Sequence, residues 1–290
     1  MFKKINCILI LTMFFLIRTV FVKAQDNGWE LNLKRTALNI TTTQVRNADV
    51  YANFPDSRLR ADTQTFIKAL FNFEASYNEQ KYLWINDIFA QYGRTTIKPV
   101  RGAQTKTENV NSIVLTSDIA YKMWKVEDPF GGFDVGPFAN ASYKTEFPHQ
   151  NNTPRKKLIS GRFGAKVFEG KYIKNLYTSI MFEEDFTYSN AYSANTAWES
   201  GLKLEHTIRD GVKASYGLLF RDYIKHSREL LINLDYELEA SARMDVLVYK
   251  NLAIAPFINY YIAQGKYMAG LGQNLYIGIS FSFSKILKAR

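Results

Sequence analysis

Cysteine is nearly absent from this chain: the single one, Cys7, lies close to the N terminus. The rest of the chain therefore has no disulfide, no thiolate metal site and no cysteine nucleophile. Proline and histidine are also scarce, with seven and three copies among 290 residues. Beyond the first 24 residues, no apolar run approaches the ~20 residues that a membrane-spanning helix needs. These absences exclude a disulfide-stapled domain and a bundle of membrane helices.

The first 24 residues have the three parts of a secretory signal peptide. Lys3 and Lys4 supply the positive region, Ile8–Ile17 the apolar region, and Val22–Ala24 a small-residue cleavage site. An N-terminal membrane anchor is the alternative, but Arg18 limits the apolar run to about half of the ~20 residues required. We therefore predict cleavage after position 24, export of the mature chain, and loss of its one cysteine.

The mature chain is basic. Its predicted signal peptide carries four lysines and arginines, and removing them lowers the formal net charge from +10 to +6. Such an excess favours anionic solutes or lipopolysaccharide phosphates. The plainer interpretation is a scatter of lysines over loops and interior positions. We expect no nucleic-acid partner.

The most informative pattern is the alternation in the last predicted strand. Its large apolar residues occupy every second position: Leu275, Ile277, Ile279, Phe281 and Phe283. The residues between them are small or polar: Tyr276, Gly278, Ser280, Ser282 and Ser284. A period of two places these sets on opposite faces of a β-strand. One lipid-facing and one polar face is typical of an outer-membrane β-barrel. A soluble sandwich or lipocalin-like barrel is the alternative.

Similar alternation recurs in about twelve segments between Trp29 and Ser284. Every second connection is short, at 78–80, 128–132, 169–171, 209–211 and 250–251. Short periplasmic turns, longer outer loops and an even strand number characterise single-chain outer-membrane barrels. We therefore predict an all-β fold in which residues 25–290 form one transmembrane antiparallel β-barrel of about 12 strands in the bacterial outer membrane. The pattern also predicts one long strand starting near Glu229, after a short connection at 226–228.

Several blocks in the middle of the chain resemble an uncharacterised family of outer-membrane barrels from Bacteroidota and Campylobacterota. The similar blocks are residues 107–109, 113–117, 121–124, 136–139 and 143–147, together with the closing Gly278-Ile279-Ser280-Phe281. This family is a domain of unknown function with no established activity. The resemblance therefore implies location and fold, and it implies no catalytic residues. The chain departs from the family's usual ending because Lys285–Arg290 follow the terminal phenylalanine.

The sequence contains no recognisable catalytic, metal or cofactor motif. Its three histidines are His149, His206 and His226, and none has a serine two positions away on the same strand face. No phosphate-binding glycine loop or zinc-ligand spacing is present. We therefore predict no enzyme activity, no cofactor and no metal.

Charged residues are expected on the inward faces of the predicted strands. A basic set comprises Lys144, Arg162, Lys166, Lys203, Lys213 and Arg221, and an acidic set comprises Glu229, Asp235, Glu237 and Glu239. Two opposed sets would produce a transverse field, a feature of diffusion pores. The alternative is that salt bridges between strands simply close and stabilise the lumen.

The sequence thus predicts a porin-like, narrow passive channel for small polar or charged solutes. A structural or surface-interaction barrel is the alternative, with loops Arg46–Asp62 and Lys98–Thr107 binding lipopolysaccharide, a host surface or a partner. An outer-membrane enzyme ranks third. The expected partners are outer-membrane lipid, lipopolysaccharide, and the barrel-assembly machinery, which would engage the C-terminal strand.

Overall fold

The computed structural model describes residues 28–51, 58–59, 63–98, 105–127, 131–147, 154–187, 192–231 and 233–288. The predicted signal peptide lies outside these residues. Within the described ranges the regular structure is entirely β-strand. No helix in this part of the chain is long and apolar enough to cross a membrane.

Thirteen strand segments follow one another along the chain. They are β1 (Trp29–Arg46), β2 (Thr63–Asn78), β3 (Tyr82–Lys98), β4 (Thr105–Tyr121), β5 (Trp124–Val126), β6 (Phe133–Thr145), β7 (Lys157–Phe168), β8 (Ile173–Asp185), β9 (Ser193–Arg209), β10 (Val212–His226), β11 (Leu234–Tyr249), β12 (Leu252–Gly265) and β13 (Gly272–Lys288). Each pairs antiparallel with its neighbours in the sheet.

The sheet closes on itself as a barrel. β1 pairs with both β2 and β13, and β6 pairs with both β4 and β5, so β5 continues the line of β4 after a break at Lys122 and Met123. The barrel therefore has twelve strands, which confirms the predicted fold and number. Closure leaves no strand edge unpaired, and hydrocarbon cannot satisfy an unpaired backbone edge.

A glycine shapes the break between β4 and β5. Gly136 on β6 lies so close to β4 that a Cβ there would come 1.7 Å from the Tyr121 carbonyl oxygen. The Met123 amide then donates to the Val135 carbonyl at 3.0 Å and restores the pairing. Any side chain at Gly136 would push the two strands apart.

The connections alternate in length, as predicted. One end of the barrel carries connections 79–81, 127–132, 169–172, 210–211 and 250–251, and at this end β1 begins and β13 ends. The other end carries the generally longer connections 47–62, 99–104, 146–156, 186–192, 227–233 and 266–271. We call these the turn end and the loop end.

The two barrel faces have opposite chemistry, which confirms the alternation read from β13. Ile277 and Phe281 point outward and are 58% and 47% exposed, whereas Ser280 points inward and is fully buried. On β1, Ile40 is 46% exposed and the inward Thr41 is 3% exposed. Large apolar side chains outside and buried polar ones inside are what a membrane barrel requires.

One predicted strand begins later than expected. The alternation placed the start of this strand near Glu229, but β11 begins at Leu234 and residues 227–233 form a connection. The Asn233 amide donates to the Leu230 carbonyl, and its side-chain nitrogen donates to the Arg228 carbonyl at 2.7 Å. These local bonds form a turn that a period of two does not reveal.

Candidate functional site

The barrel interior is the candidate site, and it receives most of the predicted charged residues. Lys144 lies on β6, Arg162 and Lys166 on β7, Lys203 on β9, Lys213 and Arg221 on β10, and Asp235, Glu237 and Glu239 on β11. All of these except Asp235 face inward with their cross-strand partners. Asp235 is exposed at the loop end of β11. Glu229 lies outside the strands, so its predicted place on an inward strand face is wrong.

A fully buried carboxylate organises the interior. Glu199 on β9 has no exposed side-chain surface, and its two oxygens lie 2.8 Å from Arg162 Nε and 2.6 Å from Arg221 Nη2. The Tyr177 hydroxyl donates to it at 2.7 Å. Pairing with two guanidinium groups and a hydroxyl is what allows a carboxylate to be buried here.

The network continues toward the loop end through Arg221. Its Nη1 lies 2.6 Å from Glu237 Oε1. The Tyr261 hydroxyl on β12 donates to the other Glu237 oxygen at 2.8 Å. Arg58, from the first loop, stacks on the Tyr261 ring at 3.8 Å and lies 3.5 Å from Glu239. An arginine from a loop thus completes a network that begins on the barrel wall.

The same network continues in the other direction around the barrel. Arg162 donates to Asn140 Oδ1 at 3.1 Å, and Asn140 donates to Asp118 at 3.3 Å. Asp118 also pairs with Lys166. We call the whole set the charged belt; its members are Arg58, Asp118, Asn140, Arg162, Lys166, Tyr177, Glu199, Arg221, Glu237, Glu239 and Tyr261.

The charged belt changes how the predicted acidic and basic sets relate. Arg221 and Glu237 stand opposite each other on adjacent strands and form an ion pair, so these charges do not face each other across an open lumen. The expectation of two separate, opposed sets of charges is therefore wrong where Arg221 and Glu237 lie. Alternation assigns a residue to the inner face, but the pairing register decides which charges meet.

The first loop is the connection 47–62, and its described residues 47–51 and 58–59 pack into the loop end of the barrel. Tyr51 and Leu59 are fully buried against Tyr261 and Ala263 of β12. The Tyr51 hydroxyl accepts a bond from the Gly265 amide at 3.0 Å. It also lies 2.9 and 3.1 Å from the carbonyl oxygens of residues 270 and 263. This anchor positions Arg58 inside the mouth.

A cavity of about 720 Å³ occupies the turn-end half of the interior. Its charged lining residues come from seven strands and the turn after β7: Glu30, Lys34, Glu74, Asp87, Asp118, Lys166, Glu169, Lys174, Lys203 and Glu205. Gly28 and Asn78 also line it, and both stand at the turn end. The cavity therefore extends from the charged belt to the turn-end rim.

Glu229 belongs to an exposed cluster at the loop end. Its carboxylate accepts a bond from the Tyr267 hydroxyl at 2.6 Å and lies 3.0 Å from Lys266 Nζ. The Tyr267 hydroxyl and the Lys266 ammonium group hold the pKa of the Glu229 carboxyl below its ordinary value. These contacts join the 227–233 and 266–271 connections.

The histidines do not form a catalytic or metal site among the described residues. His206 is exposed on β9, and His226, expected in a loop, ends β10 with ring nitrogens 2.9 Å from Asn195 Oδ1 and 2.8 Å from the Leu234 carbonyl. His149 lies outside the described residues. In the same part of the chain, no three His, Cys, Asp or Glu residues are arranged to hold a metal ion.

Sequence reasoning missed six members of the belt: Arg58, Asp118, Asn140, Tyr177, Glu199 and Tyr261. Glu199 shares its strand face with the predicted Lys203, four positions away, so the alternation does contain it. Tyr177 and Tyr261 also lie at inward positions of their strands, but a prediction based on charged residues does not select tyrosines. Strand alternation cannot predict Arg58, because Arg58 lies in the first loop and its position depends on how that loop docks.

The closed twelve-strand barrel with an apolar exterior and a charged interior belongs to the outer-membrane class of β-barrels. Solved structures of this class resemble it. An outer membrane channel from Pseudomonas putida F1 matches with a TM-score of 0.51 and 9% identity, covering 89% of this chain and 96% of that chain. The NanC porin matches with a TM-score of 0.41 and 12% identity, covering 84% and 98%.

A monoaromatic hydrocarbon channel, CymD, matches with a TM-score of 0.39 and 9% identity over 89% of both chains. At such identities the similarity shows the fold alone. No family model and no curated protein matches the chain. Membership of the uncharacterised family that the sequence resembles therefore stays a prediction.

Proposed function

We propose that this protein is an outer-membrane channel, a narrow passive pore for small polar or charged solutes. Export by its signal peptide and insertion through the barrel-assembly machinery would place it there, surrounded by lipid and lipopolysaccharide. The single observation that carries the proposal is the charged cavity of about 720 Å³ inside a closed barrel. A barrel that served only as an anchor would have no need for a hydrated interior of this size.

The charged belt and the first loop form the selective part of the proposed pore. They bring guanidinium and carboxylate groups into the loop-end half of the lumen, next to the cavity. Groups of both signs near the axis orient polar solutes and disfavour apolar ones. Solutes would therefore be sorted at the belt and pass through the cavity toward the turn end.

A structural or surface-interaction barrel is the second candidate, and one observation favours it. Glu199 is fully buried, so side chains rather than water surround it inside the lumen. A lumen that is filled all the way across at this level would stabilise the barrel without conducting. The two candidates differ in a single measurable property, which is conductance.

Conductance of the refolded protein in planar bilayers tests the proposal. We expect discrete steps, and we expect Arg58→Ala to enlarge them because it removes a long side chain from the mouth. Arg228→Ala is the matched control, since Arg228 is an exposed arginine of another connection at the same end. If correctly folded wild-type protein produces no conductance steps, the channel is refuted and the structural barrel remains. Equal steps from both variants would refute the role of the first loop.

A further inference from the structure

We propose that the turn-end cavity is a cation subsite, with Asp87 as its main determinant, and that it admits solutes bearing a small positive group such as an organic ammonium. This inference rests on the proposed channel function and names the solute class that it favours. It runs against the net positive charge of the chain, which alone would favour anions. The argument depends on which lining charges are already paired.

Two neighbouring carboxylates lie in the wall of the cavity: of the residues that the structure describes, Glu74 is ion-paired and Asp87 is not. Glu74 on β2 and Asp87 on β3 stand directly opposite each other, and both side chains line the cavity. Like charges directly opposite in an antiparallel sheet are destabilising. Lys34 lies 2.9 Å from Glu74, so Glu74 has an ion-pair partner and Asp87 is left without one among the described residues. A mobile cation beside Asp87 would supply the missing charge.

The cavity lining as a whole also has more acidic than basic residues. Among the ten charged residues that line the cavity, six are acidic and four are basic. Four of the acids have ion-pair partners: Glu74, Asp118, Glu169 and Glu205. Glu30 and Asp87 have none within the described part of the chain. The remaining lysine, Lys174, donates to the Gly170 carbonyl at 2.9 Å.

The uncharged lining favours a hydrogen-bond donor as well. The Asn175 side-chain oxygen is buried and has no partner among the described residues, and Asn175 lines the cavity. A volume of about 720 Å³ has room for a small organic cation with its hydration shell, since a liquid water occupies about 30 Å³. The absence of a three-residue metal cluster in the described ranges argues against a tightly bound divalent ion.

Ion selectivity in planar bilayers tests the inference. Reversal potentials in a KCl gradient, and then in a choline chloride gradient, report the preference for a simple and for an organic cation over chloride. We expect wild-type protein to prefer both cations. Asp87→Asn should lower the cation-to-chloride permeability ratio by about threefold to fivefold, the effect of one unit charge at close range in water.

The matched control is Asp210→Asn. It removes the same charge at the same end of the barrel, but Asp210 lies in the 210–211 turn and does not line the cavity. Its permeability ratio should match that of the wild type. Glu30→Gln is a second cavity variant, so the test survives if Asp87→Asn does not fold.

The outcomes separate the subsite from the channel. Conductance with chloride preference, or with a ratio that neither cavity variant changes, would overturn the cation subsite and leave the channel intact. Preference for potassium without choline would overturn the organic-cation assignment. Absence of conductance would refute the channel instead. Calorimetric titration of detergent-solubilised protein with choline would then test the subsite by itself. Binding that Asp87→Asn weakens would support the subsite, and no binding would overturn it.

Discussion

Replacement of Glu199 by glutamine tests whether the charged belt holds the barrel together. Glu199 has no exposed surface and binds Arg162, Arg221 and Tyr177. The substitution keeps the shape of the side chain and removes its charge. Arg221 keeps its contact with Glu237, whereas Arg162, which is partly buried, loses its carboxylate partner.

The structure sets the size of the effect. Glu199 accepts three hydrogen bonds, one from the Tyr177 hydroxyl and two from Arg221 Nε and Nη2. At about 1.5–3 kcal/mol each, these would sum to more than the substitution should cost. Glutamine still accepts hydrogen bonds, and one of the two arginines stays paired. The appropriate figure is the cost of breaking a buried ion pair, about 3–5 kcal/mol, with the lower end expected here.

The assay is equilibrium unfolding of the refolded barrel by urea in lipid vesicles, followed by gel mobility without heating. Glu205→Gln is the control because Glu205 lies on the same strand and the same face. Its partners Lys203 and Lys213 are 56% and 47% exposed, so we expect a loss of about 0–1 kcal/mol. Adding Arg162→Met to Glu199→Gln should recover part of the stability, because it removes the unpaired charge.

Two results would refute the reasoning. A loss below about 1 kcal/mol for Glu199→Gln would mean that water reaches this carboxylate and replaces its partners. Equal losses for Glu199→Gln and Glu205→Gln would mean that burial does not distinguish the two sites. Either result would remove the structural role assigned to the charged belt.

Two other substitutions test the mouth and the outer face. Gly272→Ala would place a Cβ 2.9 Å from the Leu59 side chain, so we expect it to release the first loop and speed its proteolysis. Gly161→Ala, whose Cβ would make only an ordinary 3.9 Å contact with the Asn140 carbonyl oxygen, should change nothing. Cleavage at the wild-type rate would contradict the docking. Ile279→Lys places a charge on the outer face of β13 and should cost about 2–4 kcal/mol in vesicles, whereas Leu252→Lys at the turn end should cost about 0–1 kcal/mol. Similar urea midpoints for the two lysine variants would argue against a membrane around this face.

The fold was accessible from sequence because its main determinant is local. Alternation in β13 separates Ile279 from Ser280 whatever the partner strand is, and both side chains lie on the predicted faces. Connection lengths then support an even strand number. The sequence pattern did not predict the late start of β11, because a turn held by Asn233 interrupts the strand without changing the alternation of residue types.

The interior was less accessible because its contacts depend on register and on distant segments. Arg221 and Glu237 were both assigned to the lumen, but their direct pairing follows from how β10 and β11 align. The position of Tyr51 depends on residues more than two hundred positions away in sequence. No period or spacing within a single strand contains that information.

The site in which Tyr51 docks has a consequence for barrel assembly. It is built by the hairpin of β12 and β13, and this hairpin meets β1 only when the cylinder is sealed. The first loop therefore has nowhere to dock in a partly assembled protein. A docked Tyr51 would mark a finished molecule, and a protease acting on an unfinished one would find that segment accessible.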